Sequence, residues 1–311
     1  MKAITKGISL RSLGYLVSLA EERHFGRAAD RCFVSQPTLS AQVKKLEEQL
    51  GGQLVERTQR RVMMTTLGSE VVERARRVLQ GVEEIVTLTE SRQDPLAGEL
   101  RLGLIPTVAP YLLPRVAAVL KKRLPRLRLM LLELQTEELL QQLRQGSLDM
   151  AILARPFADE GLTSEDLYQE DFLVALPGDH KLARQEHISI ADLDDQTVLL
   201  LAEGHCLRDQ ALEVCGRVSV REPQDFRATS LETLRQMVAA GIGMTLLPAL
   251  AIDEDASPES SLAVRPFNAP RPNRMITAAW RGTSARTSTM HQVGEVIRDT
   301  MRELGEGVSI V

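Results

Sequence analysis

Two scarce thiols, Cys206 and Cys215, stand close together in a chain with one further cysteine, Cys32. His205 and Arg208 flank the first of them. Cationic neighbours favour thiolate over thiol, and the thiolate is the form that attacks peroxides. These residue types therefore predict a sensor of oxidation. Leu207, Ala211, Leu212 and Cys215 fall at helical intervals, so the segment between the sulfurs reads as a helix. Nine residues rising about 1.5 Å each put the two Cα atoms roughly 13 Å apart, whereas a disulfide tolerates no more than about 7 Å. Joining the two would require the helix to unwind. The competing reading is that both are small hydrophobes in a core, the usual fate of a free cysteine, and spacing alone leaves the two readings open.

A chain of 311 residues, 43% hydrophobic and 26% charged, lies in the globular range and is long enough for more than one domain. No apolar run approaches the roughly 20 residues needed to span a bilayer, and Met1 to Lys6 leads into no signal-peptide core. The expectation is a cytoplasmic protein with no membrane partner. Three cysteines in this length argue against a secreted disulfide framework. The net charge of -4 conceals an asymmetry: residues 1–66 hold eleven Lys and Arg against six Asp and Glu, a surplus of five, so the remainder carries -9. A basic head on an acidic body fits nucleic-acid binding joined to regulation.

Within that head, Leu13, Leu16, Val17 and Leu19 form one helical pattern, and Phe25, Ala28 and Ala29 begin another. Ser35 then reads as an N-cap with Pro37 in the first turn. Leu39, Val43, Leu46 and Leu50 continue at helical spacing and leave Gln36, Thr38, Ser40, Gln42, Lys44 and Lys45 on the other faces. A second helix opening with short polar side chains and carrying lysines suits the major groove, with Ser35, Gln36 and Thr38 able to reach base edges and the lysines phosphates. Leu54 to Val62, with Arg57 and Arg60, reads as a short basic hairpin serving as a wing. Cys32 lies in this head and is assigned to packing.

Ala28-Ala29, Ser35-Gln36-Pro37-Thr38-Leu39-Ser40, Lys45-Leu46-Glu47, Leu50-Gly51 and Leu54-Val55-Glu56-Arg57, in this order, resemble the winged helix-turn-helix of LysR-type transcriptional regulators across the first 68 residues. Downstream, Val71, Ala75, Val78, Val82, Ile85 and Thr89 step by four and three with charged flanks, a heptad seam that favours pairing with a second chain over packing on its own domain. Similar regulators dimerise through this helix, and the resemblance implies a homodimer on a palindromic double-stranded DNA operator, and a homotetramer beyond it. Pro95 ends the helix and Gly98 opens the next domain.

From Glu99 the chain alternates apolar strands and helical patterns (99–105, 110–123, 127–134, 137–145, 149–153), which predicts a parallel sheet covered by helices. A second unit runs from about Phe172 to Pro272 with apolar segments at 196–201, 207–215, 231–240 and 243–247, before a strand at 274–280 and a final helix at 287–304. The expected fold is α/β: a winged helix-turn-helix (1–66), a linker dimerisation helix (67–94), a hinge (95–98) and a two-lobed domain similar to periplasmic binding proteins, with lobe I from 99–171 and 274–311 and lobe II from 172–273.

A narrower resemblance concerns the lobes. Gly103 to Val108, Pro110 to Pro114, Gly204 to Ala211 and Phe226 to Leu234 are similar to the peroxide-sensing OxyR subgroup of that family. The resemblance implies that hydrogen peroxide is the effector, that Cys206 is the peroxidatic residue and Cys215 the resolving one, and that Thr107, Thr136, His205 and Arg274 line the pocket. Asp149 is a further candidate for ordering that network, alongside a role closing a strand. Hydroxyls suit the substrate oxygens and a cation suits developing negative charge. A one-residue shift in a weakly matching region would put Asn273 in place of Arg274. Two other functions stay in view: a regulator answering a small metabolite in the inter-lobe cleft, with the cysteines incidental, and a thiol peroxidase enzyme, against which the DNA-binding head argues. The histidines are scattered without ligand spacing and no phosphate loop precedes a helix, so neither metal nor cofactor is expected.

Overall fold

The computed structural model describes residues 7–57, 62–91, 96–216, 218–223, 226–252, 261–303 and 307–310. The chain divides into two compact units, with the break in sequence between residues 93 and 94.

In the first unit, α1 (Leu10–Glu22) opens on a capping box between Ser9 and Ser12. Helix α2 (Phe25–Arg31) follows, then α3 (Gln36–Leu50), where Ser35 Oγ accepts from the Thr38 N–H and Pro37 occupies the first turn. The apolar stripe of α3, Leu39, Val43 and Leu46, is fully buried with Tyr15, Leu16 and Leu19. Gly51 ends α3 in the left-handed region, at φ +75°. Strands β1 (Val55–Arg57) and β2 (Val62–Met64) form an antiparallel pair. The long α4 (Thr66–Ser91) follows.

The seam read along α4 divides in two. Of the seam residues, Ala75 is buried and Val71 packs on the helix-turn-helix core, beside Val72, an off-seam residue buried in that core. Farther along, Val78 is 48% exposed and Ile85 63%. The reason is length: α4 has 26 residues and α1 has 13, so at 1.5 Å per residue α1 spans only about 20 Å of a helix of about 39 Å. The first turns therefore pack on their own domain, contrary to a seam committed throughout to a second chain.

The second unit holds a mixed sheet in the order β10 (Val308–Ser309), β6 (Leu162–Pro177), β9 (Asn273–Arg281), β5 (Met150–Ala154), β3 (Gly98–Leu104), β4 (Leu127–Glu133). Strands β4, β3 and β5, the three read from the alternation, pair in parallel as expected, and β9 then runs antiparallel to both β5 and β6. The 16-residue β6 joins both halves of this unit. Through Asp171 it pairs with β9, and from Phe172 it pairs with β7 (Thr245–Pro248) and β8 (Leu262–Pro266). Each half has its own core, one around Leu102, Ile152 and Trp280, the other around Phe172, Leu199 and Leu247. Helices α5 (Ala109–Arg123), α6 (Thr136–Gln145) and α9 (Thr287–Arg302) belong to the first half, and α7 (Cys206–Cys215) and α8 (Leu231–Ala239) to the second. The apolar segment 196–201 forms isolated bridges at Thr197, Val198 and Leu201 in place of a regular strand. Among the described residues, no helix is long and apolar enough to cross a membrane.

Candidate functional site

Helix α7 carries both sulfurs of interest, one at each end. Cys206 is its first residue, packed against the core of the first half, and Cys215 its last, 2% exposed in the core of the second. All nine intervening rises are helical, which keeps the Cα atoms roughly 13 Å apart, and all three cysteines are free thiols.

Cys206 lies in a tight recess lined by Ile105, Pro106, Thr107, Gln135, Thr136, Gly204 and His205. The elements explain the convergence. Thr107 follows β3 and precedes α5, Thr136 begins α6, and His205 caps the backbone of α7, so three chain turns meet at one point. Gly204 sits at φ +90° with Gln135 against it: a Cβ there would come within 2.4 Å of the Gln135 amide oxygen. Gln135 Nε2 lies 3.4 Å from His205 Nε2.

Beneath the recess lies a buried ion pair. Arg274, 3% exposed, donates from Nε to Glu170 at 2.9 Å, and its Nη2 lies 2.7 Å from the same carboxylate oxygen. Its remaining donors reach Thr107: Nη1 to the hydroxyl and Nη2 to the carbonyl, each at 3.0 Å. The Glu170 carboxylate also accepts from the Leu250 N–H. Because the Thr107 hydroxyl oxygen accepts from Arg274, its own proton is left to donate. Thr136 Oγ1 is buried with no partner of ordinary hydrogen-bond geometry. It is nonetheless near enough to the Cys206 sulfur to pull the thiol's pKa down, and we read it as a donor aimed at the recess without a committed acceptor.

Burial pushes the Cys206 pKa above its ordinary value, and Arg274, Thr136 and the Leu207 N–H draw it partly back. The thiolate-promoting role expected of His205 and Arg208 is corrected. Burial lowers the His205 pKa, favouring the neutral ring. Arg208 grips Glu222 through two bonds at 2.7 and 2.9 Å and is not among the groups acting on the sulfur. The cation acting on Cys206 is Arg274, distant in sequence. Cys215 has no such support: burial alone raises it to about 11.

In the first unit, Gln36, Pro37, Thr38, Lys44 and Lys45 are exposed on α3, and Ser40 and Gln42 are partly so. Ser35 is exposed as the cap of that helix. Arg57 ends β1, its side chain undescribed, and Arg60 lies outside the described residues. Cys32 is partly buried, its thiol 3.2 Å from Ser18 Oγ.

Two family models match this chain. Residues 10–69 match the bacterial regulatory helix-turn-helix protein, lysR family, and residues 93–302 match the LysR substrate binding domain. The chain belongs to the LysR family, in its OxyR-like branch. Among LysR relatives, it is 44% identical to the hydrogen peroxide-inducible genes activator of Pectobacterium carotovorum subsp. carotovorum, over 97% of this chain and 100% of that one. It is 45% identical to the DNA-binding transcriptional dual regulator OxyR of Escherichia coli strain K12, over 94% of this chain and 96% of that one. Full-length OxyR from Pseudomonas aeruginosa carrying a cysteine-to-aspartate substitution superposes with a TM-score of 0.77 at 39% identity, covering 96% and 99% of the two chains. A hydrogen-peroxide-bound cysteine-to-serine mutant of OxyR from Corynebacterium glutamicum superposes at 0.64 and 35% identity, covering 95% and 94%.

Against the LysR reading of the sequence, the recess gathers Cys206, Thr107, Thr136 and His205, with Arg274 behind Thr107. Arg274, not Asn273, is the inward residue: Asn273 is exposed. Asp149 does not join them. Its carboxylate accepts from the Arg101 N–H in the middle of β3, four residues before Ile105, and so ties the start of β5 to that strand. Glu170 and Gln135 were missed. Glu170 sits in β6, a strand the alternation pattern did not reveal, among further acidic residues (Glu165, Asp166 and Asp171) that gave no local signal to single it out.

Proposed function

We propose that this LysR-family protein is a DNA-binding transcription regulator switched by hydrogen peroxide, with Cys206 as the peroxide-reactive residue and Cys215 as its partner. The observation that carries the reading is a cysteine at the mouth of a recess with hydroxyl donors and a cation behind it, on the same helix as a second, buried thiol. The recess is tight, with its lining closed in around Cys206, unlike the roughly 300–1,000 Å³ pockets of drug-sized ligands, which favours peroxide over a metabolite.

The Thr107 and Thr136 hydroxyls hold the peroxide oxygens. The Cys206 thiolate attacks one oxygen; the S–O bond forms as the O–O bond breaks, and the leaving hydroxide takes a proton to become water. Arg274, through Thr107, stabilises charge on that departing oxygen. Cys215 then attacks the sulfenic sulfur, the S–S bond forms and water leaves, so two thiols are oxidised as one peroxide is reduced. The second step requires α7 to come apart, and that rebuilding is the bistable element. Peroxide is consumed as a signal, one equivalent per switch, not turned over as by an enzyme.

At the other end of the chain, Gln36, Thr38, Ser40 and Gln42 read bases, with Lys44, Lys45, Arg57 and Arg60 on phosphates. The exposed Val78 and Ile85 of α4 support a homodimer through that helix, with a homotetramer as the larger assembly. The test is mass spectrometry of the 206–215 peptide of the full chain after a brief, sub-stoichiometric peroxide pulse, beside operator binding. Sulfenic acid on Cys206 followed by a disulfide to Cys215 is expected; a normal peroxide response from Cys206→Ser would end the proposal.

A further inference from the structure

Among the described residues, three other than glycine adopt a left-handed backbone: Arg23, Asp195 and Phe33. Arg23 is the C-cap of α1, and Asp195 bonds Arg221 in a turn. Phe33 is the C′ residue of α2, its N–H donating to the Asp30 carbonyl and the Val34 N–H to the Ala29 carbonyl, a Schellman turn whose left-handed position glycine usually fills. It stands at φ 56° in the tight turn between α2 and α3, and its side chain is 95% exposed. A bulky side chain in this region is strained, and glycine or asparagine would hold the turn at lower cost. Burial returns nothing, because the ring lies in solvent. An aromatic residue kept where it costs twice, in backbone strain and in exposed apolar surface, has its use outside the isolated chain.

The neighbours say what lies there. Phe33 comes two residues before Ser35, and the first turn of α3 presents Gln36, Pro37 and Thr38 to solvent, the end of the helix that enters the major groove in the reading above. In that groove the large apolar feature on a base is the thymine C5-methyl, which aromatic side chains contact. We infer that Phe33 reads DNA, its ring resting on a thymine methyl at the edge of the site contacted by α3. The left-handed turn is what aims the ring outward beside the helix start. This rests on the DNA-binding role and adds a sequence-reading residue ahead of the helix itself.

The test uses the full-length protein and a duplex it selects from a random-sequence library, resynthesised with uracil in place of thymine at single positions. Uracil removes the methyl and leaves base pairing intact. Uracil at one position is expected to weaken wild-type binding about five-fold, in the range of a single base contact, while Phe33→Ala weakens binding to the thymine duplex about equally and is indifferent to uracil there. Phe33→Asn, which suits the turn, should melt no lower than wild type and still lose the discrimination. Binding by Phe33→Ala that equals wild type, or that stays sensitive to uracil at every position, overturns the inference. Recovery of no duplex at all would instead defeat the DNA-binding role on which it rests.

Discussion

The two ends of α7 carry the same side chain in opposite surroundings. Cys206 meets two hydroxyls and an arginine in a recess, whereas Cys215 meets hydrocarbon, and burial alone holds its thiol near 11. One end is built to react and the other to keep its sulfur inert until the helix yields. Reactivity here is set by what the fold brings up to each sulfur, since His205 and Arg208, the cations adjacent in sequence, do not supply it.

The most damaging way to test the contrast is at Arg274. Arg274→Met leaves the buried Glu170 carboxylate uncompensated, and a loss of about 3–5 kcal/mol is expected in urea denaturation. Adding Glu170→Leu should restore most of the stability but not the rate of Cys206 oxidation. Recovery of both would mean that the arginine serves the fold alone.

The Cys215 end is tested by pH. A thiol raised from 9.0 to about 11 in the folded state favours folding below pH 9, and that contribution disappears as pH climbs through 11. Two units correspond to up to about 3 kcal/mol. The reduced protein should therefore lose stability between pH 9 and 11, and Cys215→Ala should lose that part of the slope. An identical slope in the variant would show that the second sulfur is no more shielded than the first.

The smallest expected effect is at Thr136. Its hydroxyl engages no group but the Cys206 sulfur, so Thr136→Val should leave the melting temperature within a degree or two and slow Cys206 oxidation about ten-fold, or 1.4 kcal/mol in barrier. A large fall in stability with an unchanged rate would make it an ordinary structural hydroxyl.

How much was legible in advance follows from where each interaction lies along the chain. The helix-turn-helix was readable because its signals are local: Ser35 caps the helix that Leu39, Val43 and Leu46 bury. The helix between the cysteines was equally local. The Glu170–Arg274 pair joins residues 104 positions apart, and only the pairing of β6 with β9 brings them together. Asp149 was misplaced for a related reason, because periodicity gives a residue's strand but not which end of the sheet it occupies. The split seam of α4 was hidden because heptad spacing does not say how far the rest of the domain extends alongside.

The most direct test of the central claim is hydrogen exchange of the α7 amides, residues 208–215, in the reduced full-length protein and after stoichiometric peroxide. Slow exchange in the reduced protein, giving way to fast exchange as the Cys206–Cys215 disulfide accumulates, is the predicted result. A disulfide that forms with the protection of α7 intact would contradict the account.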